Sequence, residues 1–78
     1  MPTVKIEGPY RFFFYSNEAD EPAHIHVDRD DRSAKFWLDP VSLVKSIRFS
    51  PVELNGLLKL VQKHRAEFLG AWREHFGG

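Results

Sequence analysis

At Ser50-Pro51-Val52-Glu53 the hydrophobic pattern changes period, and that change divides the chain into a β half and a helical half. Ser50 suits an N-cap, Pro51 suits the first helical position, and Glu53 suits the N3 place of a capping box. Beyond it, Leu54, Leu57, Leu58, Val61, Phe68, Leu69, Trp72 and Phe76 share one face at about 100° per residue, which predicts one helix over 51–76. Before it, short alternating runs predict strands at 3–7, 10–16, 24–29, 33–39 and 41–49. Gly8-Pro9, the acidic stretch 17–23, Asp30-Asp31 and Pro40 punctuate them. A sheet that is apolar on one face needs cover, and an amphipathic helix supplies it. The expected architecture is α+β, a small antiparallel meander of four or five strands with one long C-terminal helix packed on one face. Residues 1–78 form a single domain in this reading.

Seventy-eight residues leave room for one core, and at this size self-association commonly supplements it. No cysteine is present, which excludes disulfides and thiolate zinc sites. Eleven basic residues cancel eleven acidic ones. That balance argues against a nonspecific nucleic-acid binder, while leaving room for a local basic pocket. No apolar run approaches a signal-peptide core or a membrane span, so a cytoplasmic protein without membrane association is expected.

The helical half carries two irregularities. A single helix over 51–76 would run about 39 Å, against about 30 Å for a compact chain of this size. Either it breaks near Gly70, or Trp72 and Phe76 overhang the domain and seek a second copy or a partner. Arg65 falls inside the apolar stripe. Its stem can snorkel past the core, or its guanidinium can grip a phosphate or carboxylate at a sheet–helix crevice. His64 and His75, at the edge of the stripe, read as surface residues.

The segment Pro22-Ala23-His24-Ile25-His26-Val27 carries the chemistry. On a strand, His24 and His26 share one face, about 7 Å apart at the backbone. A turn centred on Asp30-Asp31 pairs Val27 with Ala34 and Ile25 with Phe36 on the core face. The other face then sets His24 beside Trp37 and His26 beside Lys35. Two histidines and a lysine can supply a general base, a general acid and a charge stabiliser for a developing phosphorane. Trp37 and Tyr15 offer rings on which a base can stack. The set suits metal-independent cleavage of RNA, with His24, His26 and Lys35 catalytic and Tyr15, Trp37 and Arg65 binding. It suits equally the binding of a phosphate or carboxylate without reaction. A metal site would use both histidines with Glu21, Asp28 or Asp39 as a third ligand. Lys35 beside them repels a cation, so no metal and no cofactor are expected. No nucleophile elbow, phosphate-binding glycine loop or dinucleotide fingerprint is present.

Several of these segments together resemble one family, domain of unknown function 4160. They are Tyr15-Ser16-Asn17, the Pro-x-His-x-His motif at Pro22, His24 and His26, the strand Ala34–Asp39, the step at Phe49-Ser50, and His64-Arg65-Ala66-Glu67 ahead of Trp72. The Met-Pro-Thr start adds to the match, which spans nearly the whole chain. Many members carry two prolines before the first histidine, where this chain has Pro22-Ala23. The resemblance implies a small prokaryotic toxin of a type II toxin–antitoxin pair, similar to DhiT-type toxins. Its cognate antitoxin would be a small neighbouring protein of the family numbered 2442. The expectation is a toxin that acts on RNA or another phosphate-bearing target. A noncatalytic protein- or anion-binding module and a His-x-His metal-binding protein are the alternatives.

Overall fold

Five strands form the first half of the chain: β1 (Thr3–Glu7), β2 (Tyr10–Phe13), β3 (His24–Arg29), β4 (Arg32–Leu38) and β5 (Val41–Ile47). They make one antiparallel sheet in the order β1-β2-β3-β4-β5, the meander expected from the alternating runs. Two helices follow, α1 (Pro51–Lys63) and α2 (Arg65–Phe76). The computed structural model describes residues 3–77, so the Met1-Pro2 part of the family's start lies outside the described residues. No helix among the described residues is long and apolar enough to cross a membrane.

Strand alternation sends Phe12, Ile25, Val27, Phe36 and Leu38 to one face, where they meet Leu57, Val61, Phe68 and Trp72 of the helices. Phe12 packs on Phe68 with ring centroids 5.1 Å apart, and Phe14 meets Trp72 edge-on at 5.4 Å. This aromatic layer is why so short a chain needs many phenylalanines, since each buries a large apolar area at little cost in rotamer freedom.

The helix start forms half of the expected capping box. The Glu53 backbone N–H donates to Ser50 Oγ at 3.1 Å, with Pro51 at the first position. The Glu53 side chain does not return to the cap. It accepts from the Tyr10 hydroxyl at 2.8 Å, Arg29 at 2.7 Å and Arg32 at 3.0 Å, which ties α1 to β2, β3 and β4. The hydrogen bond from Tyr10 is the main reason that the Glu53 carboxyl sits below its ordinary range; partial burial opposes it and the two arginines add to it.

A single long helix is not what forms. The break falls at His64 and not at Gly70, with His64 at φ −102° and ψ 14° between the two helices. Adjacent side chains there are pulled apart. His64 Nε2 lies 3.0 Å from Glu7 of β1, while Arg65 donates to the Leu38 carbonyl at 2.7 Å and to Asp39 at 2.8 Å. From this junction the two side chains diverge, one to the edge strand β1 and the other to the end of β4. Arg65 therefore secures the end of β4. His64 is a partly buried hinge residue, whereas His75 is exposed, as expected.

Bending at His64 lays the apolar stripe back on the sheet and keeps the longest dimension at 34 Å. Trp72 is 7% exposed and Phe76 is partly buried against it, with centroids 4.3 Å apart. The overhang does not occur, and the surface assigned to self-association through Trp72 and Phe76 is largely consumed by the core.

Two measurements test this packing. Trp72→Ala should lower stability by about 3–5 kcal/mol, the cost of truncating a large buried ring, in urea unfolding. Acid should weaken the wild type through Glu53. Its folded-state carboxyl holds a proton less tightly than the unfolded one, so its contribution is complete above the ordinary value of about 4.3 and is lost as pH falls below it. Unfolding followed against pH should show a shallower acid limb in Glu53→Gln.

Candidate functional site

The β3–β4 hairpin turns at Asp30-Asp31 between the paired Arg29 and Arg32. Asp30 takes the left-handed conformation (φ 54°) that two-residue hairpin turns require and that aspartate tolerates. The register is the one the apolar pattern demands. Ile25 pairs with Phe36 and Val27 with Ala34, so His24 faces Trp37 and His26 faces Lys35.

The face that carries the histidines is not open. His24 is fully buried. Its ring lies 5.9 Å from Trp37 and, unexpectedly, 4.7 Å from Trp72 of α2. The β2–β3 connection folds back over it and brings Glu18 inward. Glu18 Oε1 lies 2.8 Å from His24 Nε2 and 3.0 Å from His26 Nε2, and it also accepts the Tyr15 backbone N–H at 3.3 Å. His24 Nδ1 donates to the Pro22 carbonyl at 2.9 Å. The proline of the Pro-x-His-x-His motif thus supplies the acceptor that orients the first histidine.

Electrostatics follow from this enclosure. Burial would raise the Glu18 carboxyl, but the hydrogen bonds from His24 and His26 outweigh it and hold the group below its ordinary range. Burial pushes the His26 imidazole below its ordinary value; Glu18 opposes that shift, and the charges of His24 and Lys35 reinforce it. His26 is therefore a neutral imidazole near neutral pH, stacked on Phe13 at 5.3 Å and met edge-on by Tyr15 at 4.9 Å.

Lys35 does not present a free ammonium. It donates to Glu21 at 2.6 Å and lies over the Trp37 ring at 4.9 Å, with its side chain 12% exposed. The open part of this face is a groove of about 270 Å³ beside His26, lined also by Tyr15, Asp28, Ser33 and Lys45. The expected residues therefore divide. His24, His26, Lys35 and Trp37 are gathered together, and Tyr15 stands at the groove with 42% exposure. Trp37 holds His24 and Lys35 and does not line the groove, and Arg65 lies at the end of β4.

Two residues of the site escape a reading of the sequence. Glu18 belongs to an acidic loop, and six residues before His24 no local period links them. Its only signal is that a buried histidine needs an acceptor. Lys45 is hidden by a β-bulge. Lys35 pairs with Lys45, but the next residue, Phe36, pairs with Leu43, leaving Val44 as the extra residue. Simple alternation puts Leu43 and Lys45 on one face, and the bulge separates them.

The fold and site thus define an α+β meander backed by two helices, with a Glu–His–His cluster beside an outer-face groove. A family model described as Domain of unknown function (DUF4160) matches residues 10–73, and the chain belongs to that family. The cluster and the groove residues named above lie within the matched span. No curated protein and no solved structure matches the chain.

Removing Glu18 tests the enclosure. Glu18→Ala leaves a buried ring nitrogen of His24 without its partner and should cost about 1–3 kcal/mol in urea unfolding. Glu18→Gln retains an acceptor oxygen and should cost less. Equal stability of all three proteins would show that the Glu18 contact contributes nothing to the fold.

Proposed function

We propose that this protein is the toxin of a type II toxin–antitoxin pair, acting in the cytoplasm on RNA or another phosphate-bearing target, and neutralised by a small cognate antitoxin. The observation that carries this reading is the groove, which brings an ammonium, an exposed aromatic ring and an imidazole to one concave surface. Lys45 meets a phosphate, and the exposed Tyr15 ring takes a stacked base, an arrangement that tolerates many sequences. Asp28 beside Ser33 supplies acceptors for a base or sugar and restricts how the phosphate can enter. The Glu18–His24–His26 cluster, which reaches the groove through His26, is the group available for chemistry. Within it His26 faces the groove. His24 is fully enclosed and acts through Glu18, so it is a positioning residue and does not touch the target.

A local site of this kind is compatible with a net charge of zero. Lys35 on the same face is already paired with Glu21, and Arg29 and Arg32 are turned to the helix side, where they pair with Glu53. Affinity for phosphate then comes from placement and not from overall charge.

Controlled expression in a bacterial host tests the reading. The wild type should arrest growth, and co-expression of the neighbouring small protein should relieve the arrest. Lys45→Ala and Tyr15→Ala alter exposed side chains, so they should stay folded and should lose most of the arrest. Wild-type expression without any effect on growth would refute the toxin reading. Arrest undiminished in both variants would remove the groove from it.

A further inference from the structure

We infer that Glu18, His24 and His26 form a binding site for one divalent transition-metal ion of the zinc class. The ligand atoms of these three residues all lie within 4.8 Å of one another. Two imidazole nitrogens and one carboxylate oxygen are a donor set that zinc takes in sites that keep a fourth position open.

Hydrogen bonding favours the same assignment. With Nδ1 donating to the Pro22 carbonyl, Nε2 of His24 is the nitrogen that faces Glu18, and it holds either a proton donated to that carboxylate or a lone pair given to a metal ion. That nitrogen, on a fully buried ring, faces a carboxylate oxygen 2.8 Å away. A lone pair cannot face a carboxylate oxygen at that distance unaided, so a proton or a cation must lie between them. A backbone carbonyl on the far nitrogen is the usual way in which a metal-bound histidine is oriented. His26 brings a second ring nitrogen to the same oxygen at 3.0 Å.

The dimensions permit the exchange of protons for an ion. With bonds of about 2.0–2.1 Å, neighbouring ligand atoms of a tetrahedral zinc site stand about 3.4 Å apart. Glu18 Oε1 would recede by roughly half an ångström from each ring, and any wider gap between the two ring nitrogens, which lie within 4.8 Å of each other, would close by rotation of the rings. Glu18 sits on a connecting loop and can make that adjustment more readily than a strand residue. Of the three residues only His26 lines the groove, so its side of the ion is the one that water or a phosphate oxygen could reach.

The charge of Lys35 argues against a cation only if it is unbalanced. Glu21 accepts from it at 2.6 Å, and Glu21 also lies 4.0 Å from His24 Nδ1. The surroundings of the three ligands therefore carry a compensating carboxylate. Glu21, Asp28 and Asp39, the third ligands suggested by sequence, lie outside the compact group. Glu18 takes that place.

This inference is independent of the toxin reading, because binding is measured on purified protein. Chelator-treated protein lacking an affinity tag is titrated with zinc by calorimetry and with cobalt(II) by visible absorption. The expected result is one ion per chain, a tetrahedral cobalt spectrum, and a rise in unfolding temperature on adding zinc. Glu18→Gln and His26→Ala should each weaken binding by more than the roughly 10–100-fold typical of residues that only orient a ligand. His75→Ala should bind as the wild type does. A wild-type protein that neither binds stoichiometric zinc nor gains thermal stability from it overturns the inference, whatever the variants do. Binding that survives in both Glu18→Gln and His26→Ala does so as well. Growth arrest without metal binding would sink this site and leave the toxin reading standing; metal binding without growth arrest would do the reverse.

Discussion

An imidazole sealed from water is costly unless both of its nitrogens are satisfied, and His24 imposes that requirement on its surroundings. Pro22 and Glu18 meet it, one through a backbone carbonyl and the other through a carboxylate. To do so the β2–β3 connection must fold inward instead of extending into solvent. That fold brings Glu18 to His26 as well, sets Glu21 on Lys35 and leaves Tyr15 at the rim of the groove. The candidate site is thus a consequence of satisfying one buried ring.

Burial of that ring depends in turn on the helices. Trp72 covers His24 only because the chain bends at His64 and returns α2 to the sheet. His64 and Arg65 anchor the bend to β1 and to the end of β4. Glu53 performs a similar service at the other end of the helical pair, where it gathers Tyr10, Arg29 and Arg32. Charged side chains in this domain act as ties between elements. They add modest energy individually, since exposed pairs are weak, but they determine which elements meet.

The distribution of charge bears on function in the same way. Lys35 is consumed by Glu21 and Trp37, whereas Lys45 stands at the groove with no ion pair among the described residues. A chain with no net charge can in this manner present one local cation beside a neutral imidazole. Selectivity for a phosphate-bearing target would then rest on the shape of one groove, as the proposed function requires.

The sequence by itself determined the strand periods, the hairpin register around Asp30-Asp31, the helix start at Ser50-Pro51 and the pairing of His24 with Trp37 and of His26 with Lys35. Each rests on interactions between residues near in the chain or on a two-fold alternation, and both are local. Family membership was legible for the same reason, in motifs of a few residues. Tertiary structure alone decided where the helix bends, that Trp72 belongs to the core, that Arg65 secures a strand end, and that Glu18 joins the histidines. It also decided, through the bulge at Val44, that Lys45 and not Lys35 faces the groove. These outcomes depend on contacts between distant segments competing for one small core and for a few buried partners. No local pattern records which of them wins.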